Sequence, residues 1–221
     1  MICSIIFFGC STVRETGKNN QSPVFSLNAG YNKGGVVENT DMSAMNNDLA
    51  VDACTGATLP GAHIGGHVKI PVGKNSFESG LDLMLNKQTL HYNDDINNYQ
   101  GERRFLTEQI LFPVNYNIGL FRNKYDQGLF QLKLGYVFQI NHIQITHESG
   151  ELPAFRYSNY SNGPYIGLST IPWQLENGNH LGMYMDVYRG SQIYKDFYNQ
   201  PEIEAPGSAF FRLGIIYQFG E

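Results

Sequence analysis

Two histidines four residues apart, His63 and His67, are the first candidates for metal chemistry in this chain. The residues around them alternate between apolar and polar, which is typical of an extended strand. At about 3.3 Å per residue, a strand separates the two side chains by about 13 Å, too far to chelate one ion. We therefore expect these histidines to form hydrogen bonds inside the protein, and we expect no metal or other cofactor.

The run YSNYSNG at residues 157–163 supplies candidate nucleophiles. It resembles part of the His-x-Ser-Asn signature of the lipid A deacylases, which are enzymatic eight-stranded barrels. Here Arg156 stands two residues before Ser158, and Asn159 stands two residues before Ser161, where that signature has its histidine. A serine needs an adjacent base to become a nucleophile. We therefore expect no enzymatic activity and keep a lipid A-modifying outer-membrane hydrolase as an alternative.

Seven ionisable side chains share the polar parity of the predicted strands: His67, Lys69, Glu78, Asp82, Lys133, Asp186 and Arg212. Charges that point into a protein interior must be paired and hydrogen-bonded. With a hairpin that turns at Lys74 and Asn75, His67 falls opposite Asp82, and Lys69 lies diagonally between Glu78 and Asp82. The pattern predicts a charge network that fills a narrow interior instead of conducting ions.

The elements that would position these charges are strands, because the dominant period from residue 24 onward is two. In residues 130–141, Phe130, Leu132, Leu134, Tyr136, Phe138 and Ile140 alternate with residues that are mostly polar or small. Side chains of a strand point alternately to its two faces. About eight such segments of roughly ten residues recur, and about 9–11 residues suffice for a tilted strand to cross a bilayer. The sequence predicts an all-β, eight-stranded antiparallel up-and-down transmembrane barrel.

The connections between these segments alternate in length. Short connections at 73–76, 122–129 and 176–179 alternate with long ones at 35–60, 93–103, 148–162 and 195–207. Such alternation is typical of outer-membrane barrels, which have short periplasmic turns and longer extracellular loops.

Glycine indicates which face points outward, a question that periodicity leaves open because a soluble lipocalin-like barrel would bury the apolar set. Most strand glycines accompany the polar set, and a crowded interior needs small residues beside large ones. The apolar face is therefore predicted to meet lipid through Leu81, Leu83, Ile110, Phe112, Leu132, Leu134, Met183, Met185, Leu213 and Ile215. Aromatic residues are predicted to form interfacial girdles. Phe25, Phe77, Phe130, Trp173 and Phe219 lie near the short turns, and Tyr31, Tyr92, Phe105, Tyr157 and Tyr194 lie near the long loops.

Composition narrows the functional classes. The 221 residues include 16% charged residues and a formal net charge of -5, with no long basic run, which argues against a nucleic-acid partner. The sequence contains no stretch of about 18 apolar residues, the length that a transmembrane helix needs. The three cysteines do not form a disulfide framework.

The first residues resemble an export signal. The apolar run ICSIIFF at residues 2–8 is followed by Gly9 and Cys10. It resembles the end of a secretory signal, and FFGC resembles a lipoprotein cleavage box, which makes Cys10 a candidate lipidation site. We expect residues 1–23 to be a partial signal segment and polar tether, and residues 24–221 to be the barrel.

The last predicted strand, AFFRLGIIYQF, resembles the terminal strand of outer-membrane barrels, in which Tyr217 and Phe219 would be the signal for the barrel assembly machinery. The segments PVGKNSFESGLDLML and FPVNYNIGLF with FQLKLGYVF are similar to hairpins of the PorT-like outer-membrane barrels, a family of OmpX-like size. The resemblance covers about residues 24–219. It implies an integral outer-membrane protein, in some cases attached to secretion or adhesion systems.

Together these features predict an integral barrel of the bacterial outer membrane with a structural or interaction role, a charged interior and no large pore. Its expected partners are outer-membrane lipid and lipopolysaccharide, the assembly machinery and an envelope protein. The first alternative is an OmpW-type channel for small or hydrophobic solutes.

Overall fold

A computed structural model describes residues 22–37, 55–73, 75–94, 99–122, 128–151, 156–192, 194–195 and 207–220. Ten strands lie in these ranges: β1 (Val24–Val37), β2 (Thr55–Val72), β3 (Asn75–Asp94), β4 (Tyr99–Arg122), β5 (Gly128–Gly150), β6 (Arg156–Tyr157), β7 (Tyr160–Gln174), β8 (His180–Gln192), β9 (Tyr194–Lys195) and β10 (Gly207–Gln218). No helix in the described part of the chain is long and apolar enough to cross a membrane.

Eight of these strands form a closed barrel in the order β1-β10-β8-β7-β5-β4-β3-β2. Every neighbouring pair is antiparallel, and the pairing of β1 with β10, from Ser26 opposite Gln218 to Val37 opposite Gly207, closes the wall. The two short strands β6 and β9 pair with each other outside the barrel. The predicted class, a closed eight-stranded antiparallel barrel, is confirmed.

The sequence alternation becomes an alternation of burial in each barrel strand. In β7, exposed and buried residues alternate from Tyr160 to Ser169. β-Branched and aromatic residues suit such a pleated wall, and every second side chain has only the barrel interior to occupy. The polar set fills that interior, whereas the apolar set covers the outside.

The strands are longer than the roughly ten residues that the sequence pattern predicted. The eight barrel strands range from 12 residues in β10 to 24 residues in β4. The predicted long connection at 93–103 was wrong, because β3 and β4 stay paired until Asp94 meets Tyr99. Beyond the apolar segment, both strands continue with polar residues that keep the backbone hydrogen bonds of the sheet. These strand ends lack the apolar alternation from which the strands were predicted.

We call the two ends of the barrel the short-turn end and the long-loop end. At the short-turn end, residues 73–74, 123–127 and 175–179 connect β2 to β3, β4 to β5 and β7 to β8. At the long-loop end, residues 38–54, 95–98, 151–159 and 193–206 join the other barrel strands.

The turn between β2 and β3 corrects the predicted register. Gly73 has φ of 62°, and Val72 at the end of β2 pairs with Asn75 at the start of β3. A two-residue hairpin favours such positive φ angles. As a result His67 lies opposite Gly80 and Lys69 lies directly opposite Glu78, so the predicted pairing of His67 with Asp82 was wrong by two residues.

Candidate functional site

The structure brings the seven ionisable residues predicted for the interior into one connected cluster, which we call the charged cluster. Six of them are buried, and the Lys69 side chain is 12% exposed. They come from strands β2, β3, β5, β8 and β10, which lie on both sides of the closing strand β1. The members are His67, Lys69, Glu78, Asp82, Lys133, Asp186 and Arg212.

Arg212 joins two carboxylates across the interior. Its Nε donates to Asp186 Oδ1 at 2.8 Å on the adjacent strand, and its Nη1 donates to Asp82 Oδ2 at 2.5 Å. The Tyr165 hydroxyl donates to Asp186 Oδ2 at 2.7 Å. Asp82 and Arg212 are 130 residues apart in the chain, so this contact exists only because the barrel closes.

His67 connects Asp82 to the second half of the cluster. Its Nε2 lies 2.8 Å from Asp82 Oδ1, and its Nδ1 lies 2.8 Å from Glu78 Oε1. Although the corrected register places His67 opposite Gly80, its ring reaches Asp82 diagonally. Glycine at position 80 makes this possible, because a Cβ there would lie 2.3 Å from His67 Cδ2.

Glu78 forms salt bridges with the remaining cations, Lys69 and Lys133. Lys133 Nζ donates to Glu78 Oε1 at 2.7 Å, and Lys69 Nζ lies 3.8 Å from Oε2. Asn117 Nδ2 donates to Oε2 at 2.7 Å. Lys69 also donates to Gln131 Oε1 at 3.0 Å.

The charges of the cluster balance if His67 is set aside. Lys69, Lys133 and Arg212 face Glu78, Asp82 and Asp186. Burying a charge without a partner costs several kcal/mol, about 3–5 for a broken buried pair, so such balance is what allows the interior to hold six charges. The cluster is therefore a salt-bridge network in which the charged groups bind one another.

An apolar cluster also occupies the interior, and the sequence analysis missed it. Tyr188 and Phe210 stack with ring centroids 4.6 Å apart. The sequence did contain a signal for this cluster, because apolar residues stand at several strand positions whose parity is otherwise polar. The buried members are Met84, Leu111, Val137, Tyr165, Tyr188 and Phe210.

A chain of amides, also missed, lies toward the long-loop end. Asn86 Nδ2 donates to Gln109 Oε1 at 2.6 Å, and Gln109 Nε2 donates to Asn141 Oδ1 at 3.0 Å. Asn32 and Gln139 extend the chain through hydrogen bonds to Asn86 and Asn141. Several buried polar atoms of this interior have no protein partner, among them Asn32 Oδ1, Gln139 Oε1 and Asn141 Nδ2.

His63 also points inward and forms a hydrogen bond with the Tyr184 hydroxyl. Among the described residues, no group of three or more histidine, cysteine, aspartate or glutamate side chains is arranged to hold a metal ion.

The ten residues predicted to meet lipid lie on the outside of the wall. Leu132 is half-exposed, and the others are exposed: Leu81, Leu83, Ile110, Phe112, Leu134, Met183, Met185, Leu213 and Ile215. Tyr217 and Phe219 also lie outside, in edge-to-face contact at 5.2 Å, and Asn179 contacts the Tyr217 hydroxyl at 2.5 Å. Phe105 was wrongly assigned to the outer girdle. It is 1% exposed because its odd parity on β4 points it into the interior.

Comparisons with known proteins give a likeness of shape alone. The chain resembles the crystal structure of the outer membrane protein OprG from Pseudomonas aeruginosa, with a TM-score of 0.47 and 8% sequence identity. The match covers 91% of this chain and 98% of that one. No protein-family model matches the sequence, and no curated protein matches it.

The candidate nucleophiles of the YSNYSNG run have local partners. Ser158 Oγ donates to the Tyr160 carbonyl at 2.7 Å, and Ser161 Oγ lies 3.1 Å from the Tyr188 hydroxyl.

Cys10, the candidate lipidation site, and the side chains of Tyr92, Tyr157 and Tyr194 lie outside the described residues.

Proposed function

We propose that this protein is an integral, non-enzymatic barrel of the bacterial outer membrane, with a structural or interaction role and an interior that is closed to solutes. The observation that carries the proposal is the distribution of side chains across the barrel wall, which is the reverse of that in a soluble barrel. Large apolar side chains cover the outside, whereas the salt bridges and amides lie within.

The height of the apolar surface supports a position in a membrane. On β5 it runs from Phe130 to Ile140, and at about 3.3 Å per residue this is about 33 Å of strand. For a strand tilted by about 40°, that length corresponds to about 25 Å along the barrel axis, the usual apolar height of outer-membrane barrels. Exposed aromatic rings at the short-turn end fit one interfacial girdle: Phe25, Phe77, Phe130, Trp173 and Phe219.

The contents of the interior support a closed barrel. An eight-stranded barrel is just wide enough for side chains to fill it. Here Arg212 spans from Asp186 to Asp82, and the apolar cluster lies in the same interior. An ion would have to break these contacts to pass.

The strands beyond the apolar surface support an interaction role. At the long-loop end, strands β4 and β5 stay paired as far as Gly101 and Gly150. This extension carries exposed polar residues and would stand clear of the bilayer, where an envelope protein partner can reach it. Outer-membrane lipid and lipopolysaccharide would contact the wall, and Tyr217 and Phe219 would meet the barrel assembly machinery.

Membrane fractionation and gel mobility test the location. The protein should be recovered in the outer-membrane fraction and should migrate differently before and after boiling, because a closed barrel resists detergent until heated. Recovery in the soluble periplasmic fraction without a mobility shift would contradict the proposal.

A narrow channel is the second candidate, and the buried polar atoms without a protein partner favour it, since water would satisfy them. Planar bilayers separate the two functions. We expect no reproducible conductance from the purified protein, whereas conductance that interior substitutions abolish would support the channel.

A further inference from the structure

Two exposed basic side chains stand where the outward apolar surface ends, at the long-loop end of the barrel. On β1, Lys33 follows Tyr31, and on β8, Arg189 follows Val187. Each cation is therefore one outward step beyond the last large apolar residue of its strand. Its hydrocarbon stem can lie along the apolar wall while the charged end reaches the polar layer above.

Lys33 and Arg189, which we call the cation pair, flank a single strand, β10. Lys33 lies opposite Phe211, and Arg189 lies opposite Ala209, the next outward residue toward the long-loop end. Two strand spacings of about 4.8 Å and this offset of two residues place the Cα atoms of the pair about 12 Å apart. Ala209 lies between the two cations, and its short side chain leaves the space between them open.

The cation pair differs from the outward cations on the opposite side of the barrel, which have acidic neighbours. Arg104 forms a salt bridge with Glu102, and Lys87 is the diagonal neighbour of Glu108. In the described part of the chain, no outward position next to the cation pair carries a carboxylate. Charges at the edge of a lipid-facing surface are costly without an opposite charge, which makes this sector a candidate anion site.

An anionic amphiphile complements the cation pair and the wall below it. A phosphate accepts two parallel hydrogen bonds from a guanidinium and a charge-assisted one from an ammonium. Acyl chains would lie against the exposed side chains of Tyr31, Val187 and Phe211.

The position of the cation pair selects one such amphiphile. Long loops are on the extracellular side of outer-membrane barrels. The lipid of that leaflet is lipopolysaccharide, whose phosphate groups lie where its sugars meet its acyl chains. The cation pair, at the upper edge of the apolar surface, stands at that level.

We propose that the cation pair binds a phosphate-bearing headgroup of lipopolysaccharide over β1, β10 and β8. The inference rests on the proposed location of the barrel in the outer membrane. It assigns the phosphate to one sector of the wall, whereas general contact with the lipid would involve the whole circumference.

Native mass spectrometry of the full-length protein in detergent micelles tests the proposal. Lipid A, the phosphorylated anchor of lipopolysaccharide, and lipid A without its phosphates are offered at equal concentration. We expect one retained lipid A, preferred by about tenfold over the dephosphorylated form, because a charge-assisted hydrogen bond contributes about that factor. The double variant Lys33→Gln with Arg189→Gln should remove the preference. Ala209→Glu should also remove it, because it places a carboxylate opposite Arg189.

Matched controls separate the charge from the bulk and from the sector. Ala209→Gln adds a side chain of similar size without the charge, and Lys87→Gln and Arg104→Gln remove outward cations that have acidic neighbours. All three controls should keep the preference.

Equal retention of the two forms of lipid A by the unmodified protein, or the same loss in Lys87→Gln as in the double variant, would overturn the proposal. Equal retention of phosphatidylglycerol would also overturn it, since the site would then accept any anionic lipid. If the protein is heat-modifiable and membrane-bound but shows no preference, only the assignment of the cation pair fails.

Discussion

The inner and outer faces of the barrel wall are built from the same strands but depend on different kinds of contact. On the inner face, each charged side chain has a particular partner, as Arg212 has in Asp82 and Asp186. On the outer face, Leu134 is 41% exposed and belongs to a surface of similar apolar residues.

The difference concerns specificity. Inner contacts join residues from distant strands and require their partners at fixed positions, so one substitution affects several groups. Outer contacts depend on the environment and not on a particular neighbour, so a substitution there should matter only through its polarity. Substitutions on the inner face therefore test the specific contacts, and substitutions on the outer face test the lipid environment.

The largest expected effect is on the inner face. Arg212→Met should lower the free energy of unfolding by about 3–5 kcal/mol, because it leaves two buried carboxylates without their cation. Urea titration in lipid vesicles, followed by the fluorescence of Trp173, the one tryptophan of the chain, would measure it. Adding Asp82→Asn and Asp186→Asn should recover part of the loss. A loss below about 1 kcal/mol, the value of an exposed pair, would show that the charged cluster is solvated.

An outer-face substitution should cost somewhat less and for a different reason. Leu134→Arg should cost about 2–4 kcal/mol in the same measurement, which is typical of arginine near the bilayer midplane on the lipid side of a barrel. Gln139→Arg, on the inner face of the same strand, should cost less, because neighbouring amides such as Asn141 can accept hydrogen bonds from the guanidinium. A larger cost at position 139 would contradict the assignment.

Adjacent glycines provide a matched pair with a smaller effect. A Cβ on Gly65 would lie 1.7 Å from Asp82 Oδ1, whereas a Cβ on Gly66 would have only Leu27 Cδ2 nearby, at 3.9 Å. Gly65→Ala should therefore cost about 1–3 kcal/mol through crowding, and Gly66→Ala should stay within about 0.5 kcal/mol of the unmodified protein. Equal effects of the two changes on the urea midpoint would mean that the interior is not tightly filled.

For most residues, Phe105 being an exception, the sequence predicted the side of the strand correctly, but it predicted partners poorly. Alternation was sufficient to group Asp82 with Arg212, because it is a local property. Their contact depends on closure of the barrel, and the position of His67 opposite Gly80 depends on a turn that lies one residue earlier in the chain than the predicted one.

The smallest expected effect on stability, and the sharpest test of orientation, comes from a probe attached to single cysteines. Leu134→Cys and Gln139→Cys would be made separately in a chain whose three natural cysteines are replaced by serine. A fluorophore at position 134 should be shielded from water-soluble reagents and quenched by brominated lipid, whereas one at position 139 should not be quenched. A soluble barrel with the same wall would give no lipid quenching at either position. Quenching at 139 instead of 134 would invert the faces, and with them the assignment of the charged cluster to the interior.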